Sequence, residues 1–200
     1  MNRSTLIDIH THHATDARTI RTAGIHPWKA DELVDAELAA LEAAAKAGEI
    51  DAIGEIGLDF ACRADRSLQL VHFRQQLDLA ERFGLPVVLH VVRSFDEVVI
   101  ELQERHLAAV ILHGFIGSPQ QATRAVRAGY YLSFGERSLR SARTIGSMRK
   151  IPLSRLFVET DESLTPIETI YARVAEVRGL TPDALAQAVT ANYERIFGIQ

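Results

Sequence analysis

Along the chain, short runs rich in β-branched and other apolar residues alternate with longer stretches whose apolar positions recur at helical spacing. The short runs predict strands at Leu6–His10, Thr22–His26, Asp51–Asp59, Leu85–His90, Ala108–His113, Gly129–Phe134 and Arg155–Thr160. They are nearly unbroken rather than strictly alternating, as in parallel strands covered on both faces. Between them, Val34, Leu38, Leu41 and Ala45 mark one helical face, and Leu70, Phe73, Leu77 and Ala80 another. Ser118-Pro119-Gln120-Gln121 and Thr165-Pro166-Ile167-Glu168 read as capping boxes with proline in the first turn, and Thr181-Pro182 opens the last helix in the same way. Gly48, Gly84, Gly129 and Gly179 sit where helices should stop.

Strand-then-helix repetition with short connections implies right-handed crossovers and a parallel sheet. The expected fold is α/β: a TIM-type (β/α) barrel of about seven parallel strands, shortened against the roughly 250 residues usual for eight units. No linker or low-complexity tract interrupts it, so residues 1–200 read as one domain. An open doubly wound sheet is the alternative, but no Gly-rich phosphate loop follows any strand.

Composition narrows the function classes. The apolar fraction of 47% and charged fraction of 24% are globular values, and a net charge of −4 is not that of a basic, non-specific nucleic-acid binder. A nucleic-acid substrate stays open, because a metal site supplies positive charge locally. Cys62 is the only cysteine, which excludes a disulfide framework and a thiolate metal knuckle. Neither a secretory signal nor a membrane-length apolar run is present, so the expectation is a cytoplasmic protein without membrane partners.

The chemistry lies where the strands end. In Leu6-Ile7-Asp8-Ile9-His10-Thr11-His12, a period of two puts Asp8, His10 and His12 on one face and Ile7 and Ile9 on the other. Paired imidazoles at a strand end suit a divalent cation. Later strands finish in His26, His90, His113 and Asp161, and Glu55 sits in the glycine-flanked run Ile53-Gly54-Glu55-Ile56-Gly57. In a β/α barrel such C-terminal ends meet at one mouth. Singly, His90 and His113 read equally well as satisfied core histidines. A carboxylate buried at Glu55 or Asp161 without a counter-charge is strongly unfavourable, which favours the metal reading. His72 and His106 read as ordinary helix residues, and His13 also falls outside the pattern.

At these residues the chain resembles the TatD family of metal-dependent hydrolases. The matching blocks are Ile7–His12, Gly24-Ile25-His26-Pro27, Ala52–Asp59, Phe73–Ala80 with Leu85–His90, His113–Ser118, Glu159-Thr160-Asp161 and Ala191–Gly198, in the family's order along the chain. The resemblance implies a distorted TIM-type barrel with two divalent metal ions (Zn, Mn, Ni, Fe or Mg). It makes His10 and His12 ligands of one ion and His90 and His113 ligands of the other, with Glu55 bridging. It gives Asp161 the first ion and the attacking water, and gives His26 and Arg93 the substrate phosphate. It further implies hydrolysis of phosphodiester bonds in DNA, with single-stranded or damaged DNA as substrate. An amidohydrolase-like esterase or amidase and a non-catalytic scaffold are the competing readings. Three departures stand out. Only a loop fits between His12 and Gly24, where the family has a strand–helix unit. The segment after Asp161 lacks the family's longer substrate loop. One extra residue separates His90 from Arg93.

Overall fold

The computed structural model describes residues 6–198. The chain divides into two compact units, Ile20–Leu112 and the combination of the segment up to Thr19 with His113 onward.

The continuous unit runs β1 (Thr22–Ala23), α1 (Asp35–Ala47), β2 (Ala52–Asp59), α2 (Arg66–Phe83), β3 (Val87–Val92), α3 (Phe95–Leu102) and β4 (Val110–Leu112). Its strands pair in that order, all parallel. Ile53, Ile56, Leu58, Val87, Val88, Leu89 and Ile111 are wholly buried, as near-continuous apolar strands require. Most of the predicted helical faces pack: Val34, Leu41 and Ala45 are buried beside α2, where Phe73, Leu77 and Ala80 are buried in turn, while Leu38 and Leu70 are only half-buried. Gly48 and Gly84 close α1 and α2 in the left-handed conformation.

Register between β2 and β3 shifts between Ile53 and Ile56, a bulge that re-aims the intervening Glu55. At the pair Gly57–His90, Gly57 has φ +138°, and a Cβ there would lie 2.1 Å from the His90 carbonyl oxygen. Only glycine permits both that dihedral and that approach.

The second unit runs α4 (Pro119–Arg127), β5 (Tyr131–Phe134), α5 (Ala142–Lys150), β6 (Leu156–Val158), α6 (Ile167–Arg178) and α7 (Pro182–Phe197), with β5 and β6 parallel. Ser118 and Gln121 form the expected capping box, and Thr181 caps α7. Thr165 does not cap α6. Its N-cap is Pro166, and the Thr165 hydroxyl instead donates to Glu136 Oε2 at 3.0 Å.

Six strands are described rather than seven. The expected first strand, Leu6–His10, does not form: the chain bends at Leu6, Ile9 and His10, and the segment and the residue after it make only single bridges, Ile7 with Arg18 and Thr11 with Asp161. Asp8 N donates to Arg18 O at 2.9 Å and Ile9 N to Val158 O at 3.2 Å, so the backbone groups are satisfied by partners on alternate sides. Asp161 has φ +55°, which turns the neighbouring chain out of line before a ladder can lengthen. Residues 12–21 contain no helix, in line with the missing crossover unit.

The segment is also held from below by Tyr171, a wholly buried α6 side chain whose hydroxyl donates to Ile7 O at 2.8 Å. Tyr171→Phe is expected to cost about 1–3 kcal/mol by stranding a buried carbonyl. A lower denaturant midpoint at unchanged m-value is the readout. Among the described residues, no helix is long and apolar enough to cross a membrane.

Candidate metal-binding sites

In the discontinuous unit, His10, His113 and Asp161 offer ligand atoms that all lie within 4.8 Å of one another. The His10 and His113 rings are 4.4 Å apart, and His12 Nε2 lies 3.6 Å from Asp161 Oδ1. His10 Nε2 lies 3.9 Å from the same oxygen, so two members of the period-two face stand beside one carboxylate. The third member of that face has a different task. Asp8 is fully buried and accepts from Thr160 N at 2.9 Å and Thr160 Oγ1 at 2.7 Å, binding the first segment to the end of β6. Burial outweighs those bonds and pushes its pKa up to about 6.

Glu159 lies behind His113. Its carboxylate is fully buried, accepts from Gly114 N at 2.6 Å and sits 3.5 Å from His113 Nδ1. Burial alone would raise its pKa. The His113 hydrogen bond and charge, with smaller help from His10 and Ser133, hold it below the usual carboxylate range.

In the continuous unit, His26, Glu55 and His90 form a second set within the same 4.8 Å limit. His90 Nδ1 is 2.7 Å from Glu55 Oε1, and His90 Nε2 is 3.2 Å from Asp59 Oδ2. Asp59 also accepts from Trp28 Nε1 at 2.7 Å and from Ala61 N at 2.8 Å. Burial works to raise its pKa, but the donors, Trp28 foremost, hold the carboxylate low and ionised. Asp59 is thus an acceptor, and His90 Nε2 carries a proton. Nδ1 and Glu55 Oε1 then face each other as two acceptors unless a proton or a metal cation joins them. This carboxylate–histidine arrangement is the one that orients ligating imidazoles, and Glu159–His113 repeats it. Mixed imidazole and carboxylate donors fit a divalent transition metal.

His26 differs. Its Nδ1 accepts from Trp28 N at 3.2 Å, which places the ring proton on Nε2, 3.2 Å from Glu55 Oε1. Gln76, buried on α2, fixes this segment by accepting from Ile25 N at 2.6 Å and donating to Ile25 O at 3.2 Å. Arg93 is exposed just beyond β3 with φ +53°, a left-handed conformation rare for arginine. The remaining histidines stand apart. His13 Nε2 meets Glu162 O at 3.1 Å, and His72 Nε2 meets Ala30 O at 3.2 Å. His106 follows α3 rather than lying in a helix, because the chain leaves α3 at Leu102 and the His106 amide donates to Glu81.

The short segment after Asp161 is clasped by Glu136, which accepts from Ser163 at 2.5 Å, Arg140 at 2.6 Å and Thr165 at 3.0 Å. Those donors, Ser163 first, bring its pKa down to about 2. A depressed carboxylate stabilises above its unfolded pKa and loses that contribution as pH falls. The difference in melting temperature between the wild type and Glu136→Gln is therefore expected to be full near neutrality. It should close as pH falls from 4.5 towards 2.

The family model described as TatD related DNase matches residues 4–198. The chain belongs to the TatD family. It is 32% identical over 195 residues to the uncharacterised metal-dependent hydrolase YjjV of Escherichia coli, covering 88% of this chain and 75% of that protein. A 3'-5' ssDNA/RNA exonuclease TatD from Cronobacter sakazakii is 32% identical, over 88% of this chain and 76% of that one. The human deoxyribonuclease TATDN3 is 32% identical, over 73% of this chain and 59% of that one. The crystal structure of the YjjV TatD homologue superposes with a TM-score of 0.83 at 30% identity, covering 92% of this chain and 78% of that one. The α/β fold is thus that of the TatD family.

Proposed function

We propose that the chain is a divalent-metal-dependent hydrolase that cleaves phosphodiester bonds in DNA, with residues 1–200 acting as one hydrolase domain. The carrying observation is the pair of imidazole–carboxylate clusters, His10–His113–Asp161 and Glu55–His90 with the Nε2–H of His26 beside it, in a TatD family chain. The residues that would hold two ions are His10, His12, Glu55, His90, His113 and Asp161, as the sequence resemblance allots them. Zn, Mn, Ni, Fe and Mg are the candidate metals. Bound divalent metal supplies Lewis acidity and a water of lowered pKa.

The chain's own groups do the rest. Asp161, held in its unusual backbone conformation, orients the attacking water and accepts its proton. His26 presents Nε2–H as a donor to a non-bridging phosphate oxygen, and the fixed Nδ1 acceptance from Trp28 keeps that tautomer. Arg93 offers a planar fork to the same phosphate. The names of the nuclease relatives, a 3'-5' ssDNA/RNA exonuclease and a deoxyribonuclease, support single-stranded DNA as the substrate; damaged DNA and a cytoplasmic setting belong to the same proposal.

The test compares metal-stripped protein with protein loaded in turn with each candidate ion, against a single-stranded oligonucleotide and simple ester and amide substrates. Cleavage of the oligonucleotide only in loaded samples is expected. Ester or amide turnover without oligonucleotide cleavage would replace this reading with the amidohydrolase-like one.

A further inference from the structure

Trp28 is the one tryptophan of the chain, and 58% of it is exposed. A large aromatic on the surface is unremarkable when it stands alone and mobile. This one is neither. It sits in a 3-10 turn, Pro27–Lys29, whose N-cap is His26 and whose Pro27 is buried. Its indole N–H donates to Asp59 Oδ2 at 2.7 Å, and Asp59 is itself fixed by the Ala61 and Cys62 amides at 2.8 and 3.1 Å. The ring lies 4.6 Å from His26 and 6.0 Å from His90, with interplanar angles of 74° and 76°, so neither imidazole is stacked on it.

We propose that Trp28 is a stacking surface for a nucleobase of the DNA strand whose phosphodiester bond is cleaved. The inference rests on the nuclease reading of the neighbouring histidines and adds to it the part of the substrate that is held. Three observations converge on it. The polar edge of the indole is already satisfied, so what remains is aromatic surface that asks for an apolar, planar partner. Every nucleobase offers such a face whatever its sequence. The Asp59 bond fixes the ring before any ligand arrives, which lowers the ordering cost of stacking. His26, which caps the same turn and is assigned to the substrate phosphate in the nuclease reading, has its ring 4.6 Å from Trp28, so a phosphate contacting His26 would carry its own base within reach of Trp28. The contact is to the base face rather than to its hydrogen-bonding edge, so it favours base-bearing over base-free strands without choosing among bases.

The single tryptophan makes the test direct, because intrinsic fluorescence reads this position alone. Metal-loaded protein is titrated with a phosphorothioate oligothymidylate and, separately, with an abasic oligomer of the same length and backbone. Quenching by the first and not the second is expected, and equal response to both overturns the proposal. A kinetic arm measures kcat/KM for cleavable versions of both oligomers. Their ratio is expected to fall about tenfold in Trp28→Leu, the scale of one base–aromatic stack, and to survive in Trp28→Phe. Both variants lose the bond to Asp59, so a merely structural role for the indole would move them together and leave the ratio alone. An unchanged ratio in Trp28→Leu overturns the proposal. Absence of cleavage of either oligomer by wild type under every metal overturns the nuclease reading, while the quenching comparison still decides the role of Trp28.

Discussion

Glu55→Gln is expected to lower metal-stimulated kcat/KM by about a thousandfold, which corresponds to about 4 kcal/mol of transition-state stabilisation. The substitution is close to isosteric. The bulge that carries residue 55 and the neighbouring contact of Gly57 with His90 are backbone features that it leaves in place. What it removes is charge. The Glu55 carboxylate is 9% exposed and has His90 Nδ1 at 2.7 Å and His26 Nε2 at 3.2 Å. An amide there no longer balances a cation held beside His90, and metal-derived catalysis is worth several kcal/mol. Circular dichroism and thermal melting should show a folded variant, and metal analysis should show depleted occupancy. Turnover near the wild-type level would remove Glu55 from the reaction.

The second large effect is on stability. His113→Leu is expected to destabilise the chelator-treated protein by about 3–5 kcal/mol, the usual consequence of stripping the partner from a buried charge. For a chain of this size that lowers the melting temperature by about 10 °C. Glu159 is the cause. It is fully buried, and its pKa lies low chiefly because the His113 bond and charge overcome the desolvation that burial imposes. With leucine at 113 the carboxylate keeps the Gly114 amide but loses the imidazole 3.5 Å away. Adding Glu159→Gln to the variant should recover most of the loss, since a neutral amide tolerates the same position. Chelation keeps metal loss from contributing to the difference. Equal melting of the single and double variants would show that the buried charge is not what His113 balances.

The legible parts of this molecule are those written in local chemistry. Ser118 with Gln121, Thr181, and the glycines at 48, 84 and 179 set helix ends through contacts a few residues long, and the structure keeps each of them. The strands from Ala52 to Val158 follow from unbroken apolar runs. Leu6–His10 has the same pattern but fails as a ladder, because strand assignment depends on neighbours that a single run does not describe. Thr165 fails as a cap for a similar reason: Glu136, distant in sequence, takes its hydroxyl.

The ligand candidates were visible because they lie in or just after apolar runs, although Glu55 and His90 fall inside β2 and β3 rather than at their ends and His26 lies beyond β1, capping the turn Pro27–Lys29. The groups behind them were not. Asp59 looks like the end of an apolar strand, and its hold on His90 depends on the register that sets Asp59 opposite Val92 and Gly57 opposite His90. Glu159 is separable from Asp161 only once burial is known. The proton position on His26 depends on a backbone amide of the following turn, which no residue pattern encodes. The signal available for Asp59 and Glu159 was their period-two relation to neighbouring positions on their strands, the same rule that picked out His10 and His12.

The division of the chain into one continuous and one discontinuous unit has a consequence for the order of synthesis. His26, Glu55 and His90 belong to a single uninterrupted stretch, so that donor set is complete once translation has passed residue 90. His10 leaves the ribosome earlier than any of them, yet its companions His113 and Asp161 are among the later residues made. For much of its elongation a nascent chain thus holds every member of the first cluster and only the opening histidine of the second. The cluster begun first is the one finished last.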